Sequence, residues 1–181
     1  MSLRCHRVNW EHTMTITIEA ERLAGILLRQ STRIVFAESC TAGLATALLA
    51  GVPGMSKSLC GSFVTYQDTC KQAWLDVPED LIKTHTAVSA EVSWAMAQAA
   101  LEHTESAEIS AAITGHLGPD APTDRDGVCF IALARRRNQD IDVVYEKRIT
   151  LAPPGRVERQ AAASRQLLLA LADYLDHNST D

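Results

Sequence analysis

The stretch R-I-V-F-A-E-S-C-T-A-G-L-A-T-A-L-L-A, residues 33–50, decides the fold. Arg33 to Ala37 is a short β-branched and aromatic run and reads as a buried strand. Glu38-Ser39-Cys40-Thr41 then supplies a carboxylate and hydroxyls, after which the chain returns to helical composition. Strand, polar turn, helix is the order expected of a site at the end of a sheet, where open α/β folds hold their ligands. Gly51-Val52-Pro53-Gly54 ends the helix.

Upstream, Ala20, Leu23, Ala24, Leu27 and Leu28 fall at helical spacing between Ile18 and Gln30. Downstream, Leu59 to Tyr66 alternates as a second strand, followed by a short helix over Asp68 to Trp74. Pro78 and Glu79 open a brief helical turn through Lys83. Ser89 is placed to cap a longer helix carrying Val92, Met96, Ala99 and Ala100. Ile109 to Thr114 is a third strand that ends in Gly115-His116-Leu117-Gly118-Pro119. Val128 to Ala134 and Ile141 to Ile149 read as a hairpin around Asn138-Gln139-Asp140. Pro153-Pro154-Gly155 breaks the chain before a last helix from about Arg156 to Tyr174, with Ala162, Leu167, Leu168, Leu171 and Leu175 on its buried side. The order α-β-α-β-α-α-β-β-β-α predicts one domain, a three-layer α/β/α sandwich around a mixed sheet. Its strand ends present Ser39, Tyr66 and Thr114-Gly115.

Composition narrows the function. The 181 residues suit a single domain with its own core, expected over 15–178 and preceded at 1–14 by a disordered leader or expression remnant. A formal charge of −5 without a basic stripe excludes a nucleic-acid surface, and Arg135-Arg136-Arg137 reads as a solvated turn after a strand. Five cysteines, an odd number with no C-x-x-C spacing, fit neither a zinc site nor a disulfide framework. Reduced thiols in a cytoplasm are the plain reading. No apolar run is long enough to cross a bilayer.

Ser39 and Thr41 stand where the helix begins. Either they cap it, or Ser39 uses the helix-terminal amides for a developing oxyanion. A serine needs a base before it can attack an amide. Lys71, five residues beyond Tyr66, suits that role if burial removes its proton, with the phenol relaying a proton or holding the geometry. The alternative is a solvated helix lysine beside a core tyrosine. Cys40 is a rival nucleophile, read as a buried small residue because no cation is expected beside its sulfur. His116 is the histidine to watch, because it lies in the turn after the third strand.

Taken together, A-E-S-C-T-A-G (37–43), G-V-P-G (51–54), G-S-F-V-T-Y (61–66) with Lys71, L-D-V-P-E-D-L-I (75–82), H-T-A-V-S-A-E-V (85–92), A-I-T-G-H-L-G-P (112–119) and G-R-V-E-R-Q-A (155–161) resemble the CinA C-terminal domain family. That family includes stand-alone nicotinamide-nucleotide amidases. The segments keep the family's order from about Ile18 to Tyr174. The resemblance implies hydrolysis of the carboxamide of nicotinamide mononucleotide, giving nicotinic acid mononucleotide and ammonia. By position it makes Ser39, Tyr66 and Lys71 the catalytic residues, and it implies neither metal nor organic cofactor. The expected partner is a small nucleotide substrate rather than nucleic acid or membrane. A homo-oligomer stays open, as does a CinA-like binding module without turnover. Amides around Cys40 and Thr41 would hold the oxyanion, and Thr114-Gly115 with Arg156 or Arg159 the phosphate.

Three departures from the family pattern stand out. Ala42 occupies the first of two usual glycines. Asp68 replaces an asparagine, and a carboxylate there favours protonated Lys71. The glycine-rich turn T-G-I-A-G-P becomes T-G-H-L-G-P, where His116 and Leu117 are expected to add bulk to the pocket and Asp124, Arg125 and Asp126 to bring charge near it.

Overall fold

The computed structural model describes residues 17–152 and 155–178. The expected leader at 1–14, and Pro153-Pro154 of the chain break, lie outside the described residues.

Among the described residues five strands form one sheet in the order β2-β1-β3-β4-β5. β1 (Ile34–Glu38) is an inner strand, buried along its whole length, running parallel to β2 (Leu59–Val64) on one side and β3 (Ile109–Gly115) on the other. β4 (Val128–Arg137) and β5 (Asp140–Thr150) continue the sheet antiparallel, joined through Asn138 at φ 58°, a conformation asparagine tolerates. Side chains alternate between two cores. Ile34 and Phe36 face the layer of α1 (Ile18–Gln30), α2 (Leu44–Ala50) and α6 (Arg156–His177). Val35 and Ala37 face α3 (Asp68–Leu75), α4 (Glu79–His85) and α5 (Ala90–Glu102). The three-layer α/β/α sandwich with a mixed sheet is therefore borne out, with a full helix α4 where a brief turn was expected.

Ser89 caps α5 as expected, its hydroxyl accepting from Val92 N at 3.3 Å. Two readings need correction. Arg135, Arg136 and Arg137 belong to β4 itself, and Arg136 donates to Leu101 O near the end of α5 and to Ala107 O. A guanidinium there satisfies a helix-terminal carbonyl and meets the negative end of the dipole. The other correction concerns α2. It begins at Leu44 rather than at Ser39, because the chain spends Ser39 to Gly43 on a tight turn with φ +52° at Ala42 and +89° at Gly43. Two consecutive left-handed residues explain why glycines suit both positions; the methyl of Ala42 costs of order 1 kcal/mol there. The Ala42 side chain is exposed.

Candidate active site

The carboxyl ends of β1 and β3 and the loop after β2 open into a cavity of about 460 Å³. Ser39, Cys40, Tyr66, Lys71, Thr114, Gly115 and Arg156 all line it. Thr41 and Arg159 do not.

Ser39 is the first residue past β1. Its amide donates to Ile113 O of β3 at 3.0 Å, and its carbonyl accepts from Ala42 N at 3.1 Å. The helix-cap reading of Ser39 is thus overturned: Gly43 is the cap residue, and it makes no side-chain bond. The capping group is Glu38, the last residue of β1 and fully buried. Its carboxylate accepts from Ala45 N at 3.1 Å, from Thr46 N at 2.9 Å and from the Thr46 hydroxyl. A negative charge at a helix N-terminus is favourable on dipole grounds. Glu38 therefore ties both ends of the turn that carries Ser39, a role that sequence reading missed. Glu38→Ala strips two amides and a hydroxyl of their acceptor. It is expected to cost about 2–4 kcal/mol in chemical denaturation.

Lys71 lies in the first turn of α3 and is only 1% exposed. Its Nζ donates to Thr65 O at 3.1 Å and Tyr66 O at 3.3 Å, and approaches Asp68 Oδ1 at 3.5 Å. The solvated-lysine reading is excluded. Burial pulls the amine below its ordinary value, and Asp68 pushes it back up without cancelling the effect. Among the described residues no hydrogen bond joins Ser39 to Lys71 or Tyr66. The three groups share the cavity, leaving room for water or substrate between them.

Tyr66 sits two residues past β2 and is half exposed, which corrects its reading as the strand's last residue and as a core side chain. Its hydroxyl accepts from Arg156, whose other terminal nitrogen donates to Gly118 O. Arg156 opens α6 and so ties the tyrosine loop to the loop after β3. Arg159, one turn on, instead forms a two-pronged pair with Asp126 at 2.6 and 2.9 Å. That guanidinium holds the Asp126 carboxyl below its usual range. Gly118, with φ +68°, packs over the pair: a Cβ there would lie 3.0 Å from Arg159 Nη1 and from Asp126 Oδ1.

Thr114 is buried and donates its hydroxyl to Ala87 O at 2.8 Å. Gly115 is required by contact: a Cβ would fall 2.3 Å from Cys129 Sγ. His116 N donates to Val128 O, so by the alternation of the ladder the Gly115 amide faces β1, beyond which Ser39 turns away. Among the described residues, the amides of Cys40 and Thr41 have no backbone acceptor. The Thr41 side chain is buried with an unpartnered hydroxyl. The Cys40 thiol is pushed well up by its hydrogen bond with Cys129 and by burial, and it stays protonated at neutral pH. It is a poor nucleophile.

The loop after β3 lines the cavity with His116 and Leu117, as expected, and with Asp120, whereas Asp124, Arg125 and Asp126 do not line it. The Leu117 side chain packs in the core beside α6, Arg125 donates to Thr86 Oγ1 at 3.1 Å, and Asp126 belongs to Arg159. His116 stays half-buried at the cavity wall; burial and then Arg125 hold its imidazole below the usual value, against the pull of Asp126.

The CinA C-terminal domain model matches residues 17–174. The chain belongs to that family. A CinA-like protein of Prochlorococcus marinus subsp. pastoris is 37% identical over 136 residues, 74% of this chain and 30% of that protein. One from Myxococcus xanthus is 34% identical over 128 residues, 67% of this chain and 30% of its own length. The chain thus spans under a third of the curated CinA relatives it matches. Among solved structures, the competence damage-inducible protein A of Klebsiella pneumoniae superposes with a TM-score of 0.80 at 27% identity, covering 88% of this chain and 96% of that one. The competence/damage inducible protein CihA of Agrobacterium tumefaciens gives 0.79 at 27%, covering 91% and 99%. CinA-family members of nearly this length therefore share the whole fold. Among the described residues no helix is long and apolar enough to cross a membrane, and no cluster of His, Cys, Asp and Glu could hold a metal ion.

Proposed function

We propose that the chain is a serine amidohydrolase of the cytoplasm that converts nicotinamide mononucleotide to nicotinic acid mononucleotide and ammonia. The observation that carries this reading is Lys71, an amine removed from water and lowered in pKa, in one cavity with a serine at a strand end. Neutral Lys71 takes the Ser39 proton, directly or through one water, as Ser39 Oγ attacks the carboxamide carbon. The amides of Cys40 and Thr41 receive the oxyanion. Protonated Lys71 returns its proton to the departing nitrogen, ammonia leaves, and water cleaves the acyl-serine by the same route in reverse. Tyr66, held by Arg156, orders the rim of the site. Arg156 and the positive end of α6 suit the substrate phosphate, whereas Arg159 is committed to Asp126. The deciding assay is ammonia release from nicotinamide mononucleotide.

Arg156→Ala is expected to raise KM for the nucleotide about tenfold or more and to erase its preference over the dephosphorylated nucleoside. Steady-state kinetics on both substrates measures this, and an unchanged preference places the phosphate elsewhere.

A second reading, a nucleotide-binding module without turnover, is favoured by the Asp68–Lys71 approach, because Asp68 opposes loss of the lysine proton. The two readings separate at Asp68→Asn. For the enzyme, removing a partly exposed carboxylate lowers the Lys71 pKa further and shifts the ascending limb of kcat/KM to lower pH. The rate at neutral pH then rises roughly two- to five-fold. A module shows no ammonia release in either form.

A further inference from the structure

Among the described residues the sheet ends on β5, an eleven-residue strand with β4 on one side only. Which of its backbone groups look outward follows from the ladder. His116 N and Arg136 N bind across the β3–β4 seam, to Val128 O and Glu108 O. Even-numbered residues of β4 therefore serve β3, and odd-numbered ones serve β5. Cys129, Ile131, Leu133 and Arg135 pair with Ile149, Lys147, Tyr145 and Asp142, which uses the peptide groups of those four β5 residues. The peptide groups of Ile141, Val143, Glu146 and Arg148 are left facing away from the sheet. Gln98 Nε2, reaching Ile141 O from α5 at 3.5 Å, agrees with that direction.

The side chains are equally ordered. A bulge between Leu133 and Ala134 shifts the register opposite Val144. Before it, Asp142 lies on the α6 side, with Ile141 and Val143 on the α5 side; after it, Tyr145 and Lys147 lie on the α6 side, with Glu146 and Arg148 on the α5 side. The strand has an acidic start, an apolar middle of Val143-Val144-Tyr145 and a basic end at Lys147-Arg148. Its middle lines a shallow groove of about 450 Å³ with Trp94.

We propose that β5 pairs antiparallel with β5 of a second copy of this chain, joining two sheets across a two-fold axis. Setting Ile141 against Arg148 and Val143 against Glu146 puts outward peptide groups opposite outward peptide groups. The same register keeps opposed side chains on one face, brings Val144 to Tyr145 at the centre and sets Asp142 across from Lys147 twice. A strand whose two ends carry opposite charge is complementary to itself only when reversed; parallel pairing would bring Asp142 to Asp142. Lysine on an edge ordinarily discourages pairing, and here the acid facing it turns that charge into a contact. Self-complementary surfaces of this kind are what two-fold dimers require.

Sedimentation equilibrium of the full chain up to about 100 µM is expected to show a dimer that weakens with salt. Asp142 and Lys147 are exposed; since Asp142 also stands opposite Arg135 within the sheet, circular dichroism checks that each reversal keeps the fold. Asp142→Lys and Lys147→Asp should each weaken association about tenfold or more, since each creates two like-charge contacts per dimer. The double variant D142K/K147D should restore it. A monomer throughout the range overturns the proposal. A dimer indifferent to the single reversals, or a double variant that stays monomeric, overturns it equally by removing β5 or its register from the interface.

Discussion

Ser39→Ala is expected to leave less than about a thousandth of the turnover while nucleotide binding changes little, because loss of a serine nucleophile typically costs three to six decades. The hydroxyl is the only atom removed. The turn around it is held by main-chain bonds to Ile113 and Ala42 and by Glu38 beneath α2, none of which uses the Ser39 side chain. Ammonia release gives the rate, and calorimetry on the variant gives the affinity. Cys40→Ala serves as the contrast and should keep most activity, since its thiol stays protonated. Near-native turnover in Ser39→Ala would assign the attack to another group.

Lys71→Met is expected to abolish turnover to a similar degree while making the protein no less stable, and more stable by up to about 2 kcal/mol. A methionine fills the same space without an amine that must leave water. The linkage has a definite sign. The folded lysine titrates below its ordinary 10.5, so between the two values the unfolded chain binds more protons than the folded one. Stability therefore rises with pH through that window, up to about 10.5, and its lysine penalty is fully present below it. The methionine variant should lack this slope. Thermal melts of both proteins from neutral to alkaline pH measure it. A variant that is both inactive and much less stable would instead make Lys71 a structural donor to Thr65 O and Tyr66 O.

Much of this was legible in the chain because apolar runs and polar turns alternate cleanly. The strand at Ile34, the cap at Ser89, the full length of α1 and the approach of Ser39, Tyr66 and Lys71 to one cavity all follow from local pattern. What stayed hidden depends on bonds between distant residues or on backbone angles. Glu38 caps a helix from the strand before it, across seven and eight residues, which no capping-box spacing describes. Left-handed Ala42 delays α2 by several residues while its composition still reads helical. The split between Arg156 and Arg159 is of the same kind. Both are arginines of one helical turn, and only the partner of Arg159, 33 residues earlier, removes it from the cavity.

The helix α6 also sets one end of the molecule apart from the cavity. Arg156 begins it at the cavity, and its 22 residues extend roughly 33 Å to His177. There Arg22 of α1 bonds both Asp173 and Asp176 at 2.6 Å, which brings the start of the first helix beside the end of the last. The start of α1 and the end of α6 therefore lie together one helix length, roughly 30 Å, from the cavity-side start of α6. A label attached beside Asp173 or Asp176 would therefore leave the cavity mouth open, a helix length away.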